Sequence, residues 1–188
     1  GTATLASVPM FLKIPYYPVA LGRSPVNLLG IARDNGFQNF YFSAQYAQSL
    51  EVANCRALVD RIETLDTHEK RLLQVHDDML LEWLNALPSH RAKRFMFLHQ
   101  RVNHTPYEEN CDHVAAEINI LKPQGRSKNE LRANEYDNGM RCYDRSLAKI
   151  MAYAASQPGD VYVFVTADHN EVMGEFQDLW GHGTSHLY

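Results

Sequence analysis

Apolar positions along this chain fall into a few short runs, separated by polar stretches that Gly and Pro punctuate. Leu72, Leu73, Val75, Met79, Leu80, Trp83, Leu84 and Leu87 recur mostly on one face at helical spacing. That pattern predicts a helix from about Thr67 to Leu87, ended by Pro88. Residues 2–13 read as a short helix that carries Thr2 and Thr4 at its start and gives way at Pro15 and Pro18. Ser24-Pro25 has the form of a cap followed by Pro at the first helical position, so a helix should continue from Val26 to Asp34 and stop at Asn35-Gly36. A last helix is expected from about Lys128 to Ser156, broken by Pro158-Gly159.

Three runs read as strands. Phe37 to Ser43 is aromatic-rich and bounded by turn residues, and Arg94 to His99 holds the apolar core Phe-Met-Phe-Leu. Val161 to Thr166, Val-Tyr-Val-Phe-Val-Thr, is the plainest candidate for a buried strand. Residues 105–128 are polar and broken by Pro106, Pro123 and Gly125, which predicts mostly loop. Helices alternating with strands predict an α/β fold with a mainly parallel sheet, and such sheets bind ligands beyond the carboxyl ends of their strands. Three segments stand at those ends: Ser43-Ala44-Gln45, His99 to His104, and Asp168-His169.

Composition narrows the classes. A chain of 188 residues suffices for one domain with a real core. A net charge of −4 gives no electrostatic case for nucleic acid, which calls for a basic face. No apolar run reaches the ~18 residues of a membrane-spanning helix. Cys55, Cys111 and Cys142 lie far apart without a CxxC pair, so a zinc finger is excluded; one disulfide with a free thiol, or three thiols, both fit. Gly1 opens without an initiator Met or a signal pattern, and the chain closes on Gly-His-Gly-Thr-Ser-His-Leu-Tyr. Both ends read as trimmed from a longer parent.

Asp168-His169 follows the Val161–Thr166 run directly. A carboxylate and an imidazole there can turn toward one ion, and oxygen and nitrogen donors suit zinc or manganese; the plainer reading is a capped strand end beside a surface histidine. His104, in Asn103-His104-Thr105-Pro106 just past the Phe95–Leu98 run, reads by itself first as an ordinary loop histidine and only second as a functional one. His182 lies between Gly181 and Gly183, whose lack of side chains lets a backbone approach a ligand closely. The Thr4 hydroxyl is a helix cap or, if a base or metal activates it, a nucleophile. His68, His76 and His90 read as solvated, and His113 and His186 stay unassigned.

Taken in order, these segments resemble a known family. Gly1-Thr2-Ala3-Thr4-Leu5-Ala6-Ser7-Val8-Pro9-Met10-Phe11 closely resembles the nucleophile segment of lipid A phosphoethanolamine transferases, which include mobile colistin-resistance enzymes. They belong to the alkaline phosphatase/sulfatase superfamily. Leu98-His99-Gln100 with Asn103-His104-Thr105-Pro106 is similar to the family's Leu-His-Gln…His-Gly-Pro stretch, and Glu135-Tyr136-Asp137-Asn138 to its Tyr-Asp-Asn helix. Thr166-Ala167-Asp168-His169-Asn170-Glu171 with Gly174-Glu175 resembles Ser-Asp-His-Gly-Glu…Gly-Glu, and His182-Gly183 has nearly the spacing of the family's next His-Gly pair. The matches span nearly the whole chain. Departures are Met10 where a cysteine is usual, Asn170 in place of glycine, and Ser43-Ala44-Gln45 where relatives often carry Ser-Asn-Gln.

The resemblance implies an alkaline phosphatase-like three-layer sandwich, its mainly parallel sheet flanked by helices. It implies that residues 1–188 are one catalytic domain, short of an upstream strand with an acidic metal ligand and of membrane helices. It implies zinc, one or two ions with manganese the lesser choice, held by Thr4, Asp168 and His169. His104 and His182 would contact the substrate phosphate or a second metal, and Gln45 is a candidate substrate contact. Thr4 would take phosphoethanolamine from phosphatidylethanolamine and pass it to a lipid or glycan acceptor, in a membrane-anchored bacterial protein whose domain faces the periplasm. Phosphoglycerol transferases and phosphodiesterases share this kit, and a non-catalytic headgroup sensor keeps the fold. Sulfatases that make formylglycine need Cys-x-Pro-x-Arg or Ser-x-Pro-x-Arg, and neither occurs here.

Overall fold

Side chains on successive residues of a strand point to opposite faces, so a strand that is apolar throughout needs cover on both. In the computed structural model, which describes residues 8, 13–14, 26–46, 56–65, 77–89, 92–105, 107, 127–174 and 179–181, that strand is Gln38–Ser43. The short strands Lys13–Ile14 (β1) and Val26–Asn27 (β2) precede it, and it is β3. It lies between β4 (Arg61–Glu63) and β5 (Arg94–His99), parallel to both. The β3–β5 register runs from Gln38↔Arg94 to Ser43↔His99, so the last residues of both strands lie side by side.

Helices cover the two faces. Phe40 and Phe42 pack with Met79, Leu80, Trp83 and Leu84 of α2 (Asp78–Asn85) and with Ile150 of α3 (Lys128–Ser156). Tyr41 points the other way, to Val8 and to Leu29 of α1 (Leu28–Asp34), with Phe95 and Phe97 alongside. Tyr41 and Phe97 stack at 5.1 Å, and Phe42 meets Trp83 edge-on at 5.8 Å. The result is the expected three layers around a parallel sheet. One buried polar residue ties the layers: the Asn39 side-chain amide donates to the carbonyls of Leu29 and Leu58, at 2.7 and 2.8 Å. Both hydrogens of the buried amide nitrogen are thereby satisfied.

α3 has the predicted bounds, because Ser127 and Glu130 form a reciprocal capping box at its start. Strand β5 has them too, and β3 starts one residue late, at Gln38. α1 begins at Leu28 and not Val26, because Val26-Asn27 pairs antiparallel with Lys13-Ile14 and the Asn27 side chain then caps the helix by accepting from Leu29 N. Lys13 is accordingly in a strand, not at the end of a helix. α2 starts at Asp78, well short of the expected Thr67; residues 66–76 lie outside those described. β4 was not foreseen, since Arg-Ile-Glu carries no apolar run.

The largest correction concerns Val161 to Thr166. Among the described residues this run pairs with no strand, and Val161 to Val165 are all exposed. Strand-forming residues need a neighbour's N–H and C=O groups to make a ladder, and no described neighbour offers them.

Candidate functional site

Parallel pairing of β3 and β5 sets Ser43 against His99 at the carboxyl end of the sheet. Both are buried, and the Ser43 hydroxyl lies 3.1 Å from His99 Nδ1 while accepting from Gln45 N. Burial holds the His99 imidazole down at a pKa of about 4, against the pull of Asp168 and with the repulsion of His169 and His104. His99 is therefore neutral at neutral pH. Asp168, His169 and His104 all act on His99 electrostatically, so the turn after β5 and the segment after the 161–167 run lie on the side of the sheet where β5 ends.

Asp168 and His169 are adjacent in space as well as in sequence. The Asp168 carboxylate accepts from His169 N at 3.0 Å, and its other oxygen lies 3.4 Å from His169 Nε2. His169 Nδ1 lies 2.9 Å from the Asn170 carbonyl, an acceptor only, so Nδ1 carries a proton. His104 is arranged alike: Nδ1 lies 2.6 Å from the Thr105 carbonyl, which leaves Nε2 as the acceptor nitrogen. A backbone carbonyl that fixes the tautomer in this way is what metal-binding histidines commonly use. A carboxylate and an imidazole side by side are donor types that suit zinc. Among the described residues no group of three or more such side chains is gathered, so Asp168 and His169 make a two-donor pair.

The turn after β5 is unusual backbone. His104 N donates to the Arg101 carbonyl at 3.0 Å, and Asn103 sits in the left-handed region at φ 68°. Its side chain packs against α3: a Cβ built on Gly139 would lie 2.2 Å from Asn103 Oδ1, so any larger residue there would push the Asn103 amide aside. From the other side, Asp77 reaches the same turn, its carboxylate accepting from Arg101 N at 2.8 Å and from the Gln100 side chain at 3.0 Å. Asp77 is fully buried, and that burial pushes its carboxyl up to about 6 despite these donors.

The Tyr107 hydroxyl donates to Glu171 at 2.7 Å, joining the loop after β5 to the segment after Asp168. Burial first, and the carboxylate second, push the Tyr107 phenol up. Tyr107 packs edge-on to Tyr136 of α3. Residues 172–173 (β6) then pair antiparallel with 180–181 (β7), which leads the chain to His182.

Of the sequence-derived candidates, the structure sets Asp168 beside His169, while His104 shares with them only an electrostatic influence on His99, and Gln45 bonds through its N–H to Ser43. Thr4 and His182 lie outside the described residues, as do His68, His76, His90, His113 and His186. Asp77, His99, Asn103, Tyr107 and Glu171 were missed. His99 had a signal, as the last residue of an apolar run; Asp77 had none, because its partners are more than twenty residues away. Cys142 is disulfide-bonded, which decides one of the open cysteine readings.

No curated protein matches the chain in sequence. Its fold is similar to that of the C-terminal periplasmic domain of EcEptC from Escherichia coli. A crystal structure of that domain in complex with Zn aligns at TM-score 0.69 and 15% identity, over 96% of this chain and 55% of that one. A second structure of the domain aligns at TM-score 0.56 and 16% identity, over 71% of this chain and 39% of that one. The chain thus spans about half the length of the domain it matches. The sequence profile of the sulfatase family matches residues 2–187, and the chain belongs to that family.

Proposed function

We propose that this chain is the larger part of the catalytic domain of a zinc-dependent phosphoethanolamine transferase. The observation that carries the reading is the Asp168–His169 pair, whose charge acts on His99 at the carboxyl end of a parallel sheet. Resemblance of the sequence segments supplies the chemistry, and a sulfatase-family fold like that of a zinc-bearing periplasmic domain supports it. The absence of a formylglycine segment directs the reading away from sulfate esters.

Asp168 and His169, with Thr4, are the residues that would hold zinc, and His104 and His182 the ones that would hold the phosphate oxygens or a second ion. Zinc bound there supplies positive charge that favours an ionised hydroxyl and developing negative charge on phosphate. The Thr4 oxygen attacks phosphorus, the bond to the glycerol oxygen of phosphatidylethanolamine breaks, and diacylglycerol leaves with the proton. An acceptor hydroxyl or phosphate of a lipid or glycan then attacks phospho-threonine and frees Thr4. His104 can ligate metal through an unprotonated Nε2 or, with Nε2 protonated, donate to a phosphate oxygen, and Gln45 lies beyond the end of β3.

The exposed Val161–Val165 run and a parallel sheet in which β5 is an edge strand among the described residues are consistent with a further strand from outside residues 1–188. That strand would complete the sheet and bring the acidic metal ligand. A disulfide at Cys142 suits the oxidising periplasm, and the parent protein is proposed to be anchored in the inner membrane. No described helix is long and apolar enough to cross a membrane.

The test is elemental analysis of the full-length protein beside Asp168→Ala, followed by headgroup release from phosphatidylethanolamine and, in parallel, phosphatidylglycerol. About one zinc or more per chain, lost in Asp168→Ala, with ethanolamine-lipid turnover, is expected. Turnover of the glycerol lipid alone would reassign the donor. A folded protein without metal would leave a headgroup-binding module.

A further inference from the structure

Asp77 is the residue whose placement the reaction scheme leaves unexplained. It stands immediately before α2, where a carboxylate ordinarily caps its own helix. It makes no such cap. Its side chain is fully buried and turned to the residues that follow β5, with one oxygen on Arg101 N and the other on the Gln100 amide. The N–H of Val102 also acts on it. A buried carboxylate is costly even when hydrogen-bonded, and an apolar side chain at the start of α2 would pack without that cost. What the carboxylate achieves is the path of a turn.

That turn has little else to define it. His104 N closes it on the Arg101 carbonyl, Asn103 takes a left-handed conformation that few side chains adopt, and Gly139 leaves room for Asn103. Convergent N–H groups held by one anion fix the directions of successive peptides, as they do when a loop wraps a phosphate.

We infer that Asp77 is a positioning residue for the candidate site: its buried carboxylate holds the turn 100–102, on which His104 N closes, and so fixes where His104 stands past the end of β5. The inference rests on the transferase reading for what His104 does, but not for where the turn is held. Asp77 touches no substrate. It acts through Arg101 and the turn.

The experiment is a double-mutant cycle in the full-length zinc-loaded protein, with Asp77→Asn, His104→Ala and the pair, read as kcat and KM for headgroup release. Asp77→Asn is expected to lower kcat on the order of ten- to a hundredfold, as loss of a supporting hydrogen bond does, and to leave zinc content unchanged. The pair should be no worse than His104→Ala alone, because both changes disable the same group. Independent, multiplying losses, or no loss in Asp77→Asn, would overturn the inference. Should Asp77→Asn fold poorly, Gln100→Leu removes one donor from the carboxylate and should show the same non-additivity at smaller size. Amide hydrogen exchange at Arg101 and His104 is measured alongside. Exchange faster at those amides, with α3 unchanged, is expected in Asp77→Asn; unchanged exchange there overturns the inference even in a protein that turns over no lipid. Wild type that releases no headgroup while the exchange result holds would refute the transferase reading and keep the turn's anchor.

Discussion

Two segments of this chain have nearly the same pattern and opposite fates. Strand β3 reads Asn-Phe-Tyr-Phe-Ser; the segment from Val161 reads Val-Tyr-Val-Phe-Val. Judged by local preference the second is the better strand, with three β-branched residues against none. Yet Tyr41 and Phe42 are 1% and 0% exposed, whereas Tyr162 and Phe164 are 79% and 89% exposed. The difference lies entirely in neighbours. β3 has a parallel strand on each side and a helix layer on each face. The later run, among the described residues, has no strand on either side. Strand character is a potential that non-local partners realise, and the same five-residue pattern is core in one place and open surface in the other.

Substitution at matching positions should expose the contrast. Phe42→Ala removes a fully buried ring packed on Phe40 and Trp83, and should destabilise the chain by about 3–5 kcal/mol in a denaturant titration. A loss below about 1 kcal/mol would mean that β3 is not the centre of the core.

The turns that leave the strands invite a second test, through pH. Asp77 anchors the turn after β5, and its carboxyl is raised from 3.8 to about 6. Between those values the folded form holds the proton more tightly than the unfolded one, so this group's contribution to stability falls as pH rises through the window. His99, lowered from 6.5 to about 4, has the opposite sign, since its contribution is lost as pH falls. The two oppose each other in wild type. Comparing Asp77→Asn with wild type isolates the first: from pH 4 to pH 7 the stability difference should move in the variant's favour by on the order of 2–3 kcal/mol. A pH-independent difference would show that Asp77 titrates normally.

The smallest effect belongs to the exposed run. Phe164→Ser in the 188-residue chain should change stability by no more than about 0.5 kcal/mol, as surface substitutions do. In the full-length protein, where the proposed further strand would pack against it, the same change should cost about 1–3 kcal/mol by burying a polar group. Equal, small effects in both would argue that the run stays open.

How far the sequence reaches can be judged residue by residue. α3 was legible to its ends, because a capping box and Pro158-Gly159 act within a few residues of themselves. The strand character of β5 and the position of Asp168-His169 and His104 past apolar runs were legible for the same reason, and the family resemblance gave the expected roles of Thr4, His182 and Gln45. α1 was misplaced by two residues, since a pairing of Val26-Asn27 with Lys13-Ile14 overrode a plausible Ser-Pro start.

By itself, then, the sequence determined what short-range physics encodes: the capped long helix, the apolar strands, the α/β order, and the donor-rich segments that follow the strands. Only the tertiary structure decided which apolar run is buried, that Arg61–Glu63 joins the sheet, and that Asp77 turns from its own helix to a turn more than twenty residues away. Hydrogen-bond ladders, buried charges and a left-handed Asn103 against Gly139 each depend on groups distant in sequence. No local pattern can specify a partner that the fold has yet to bring near.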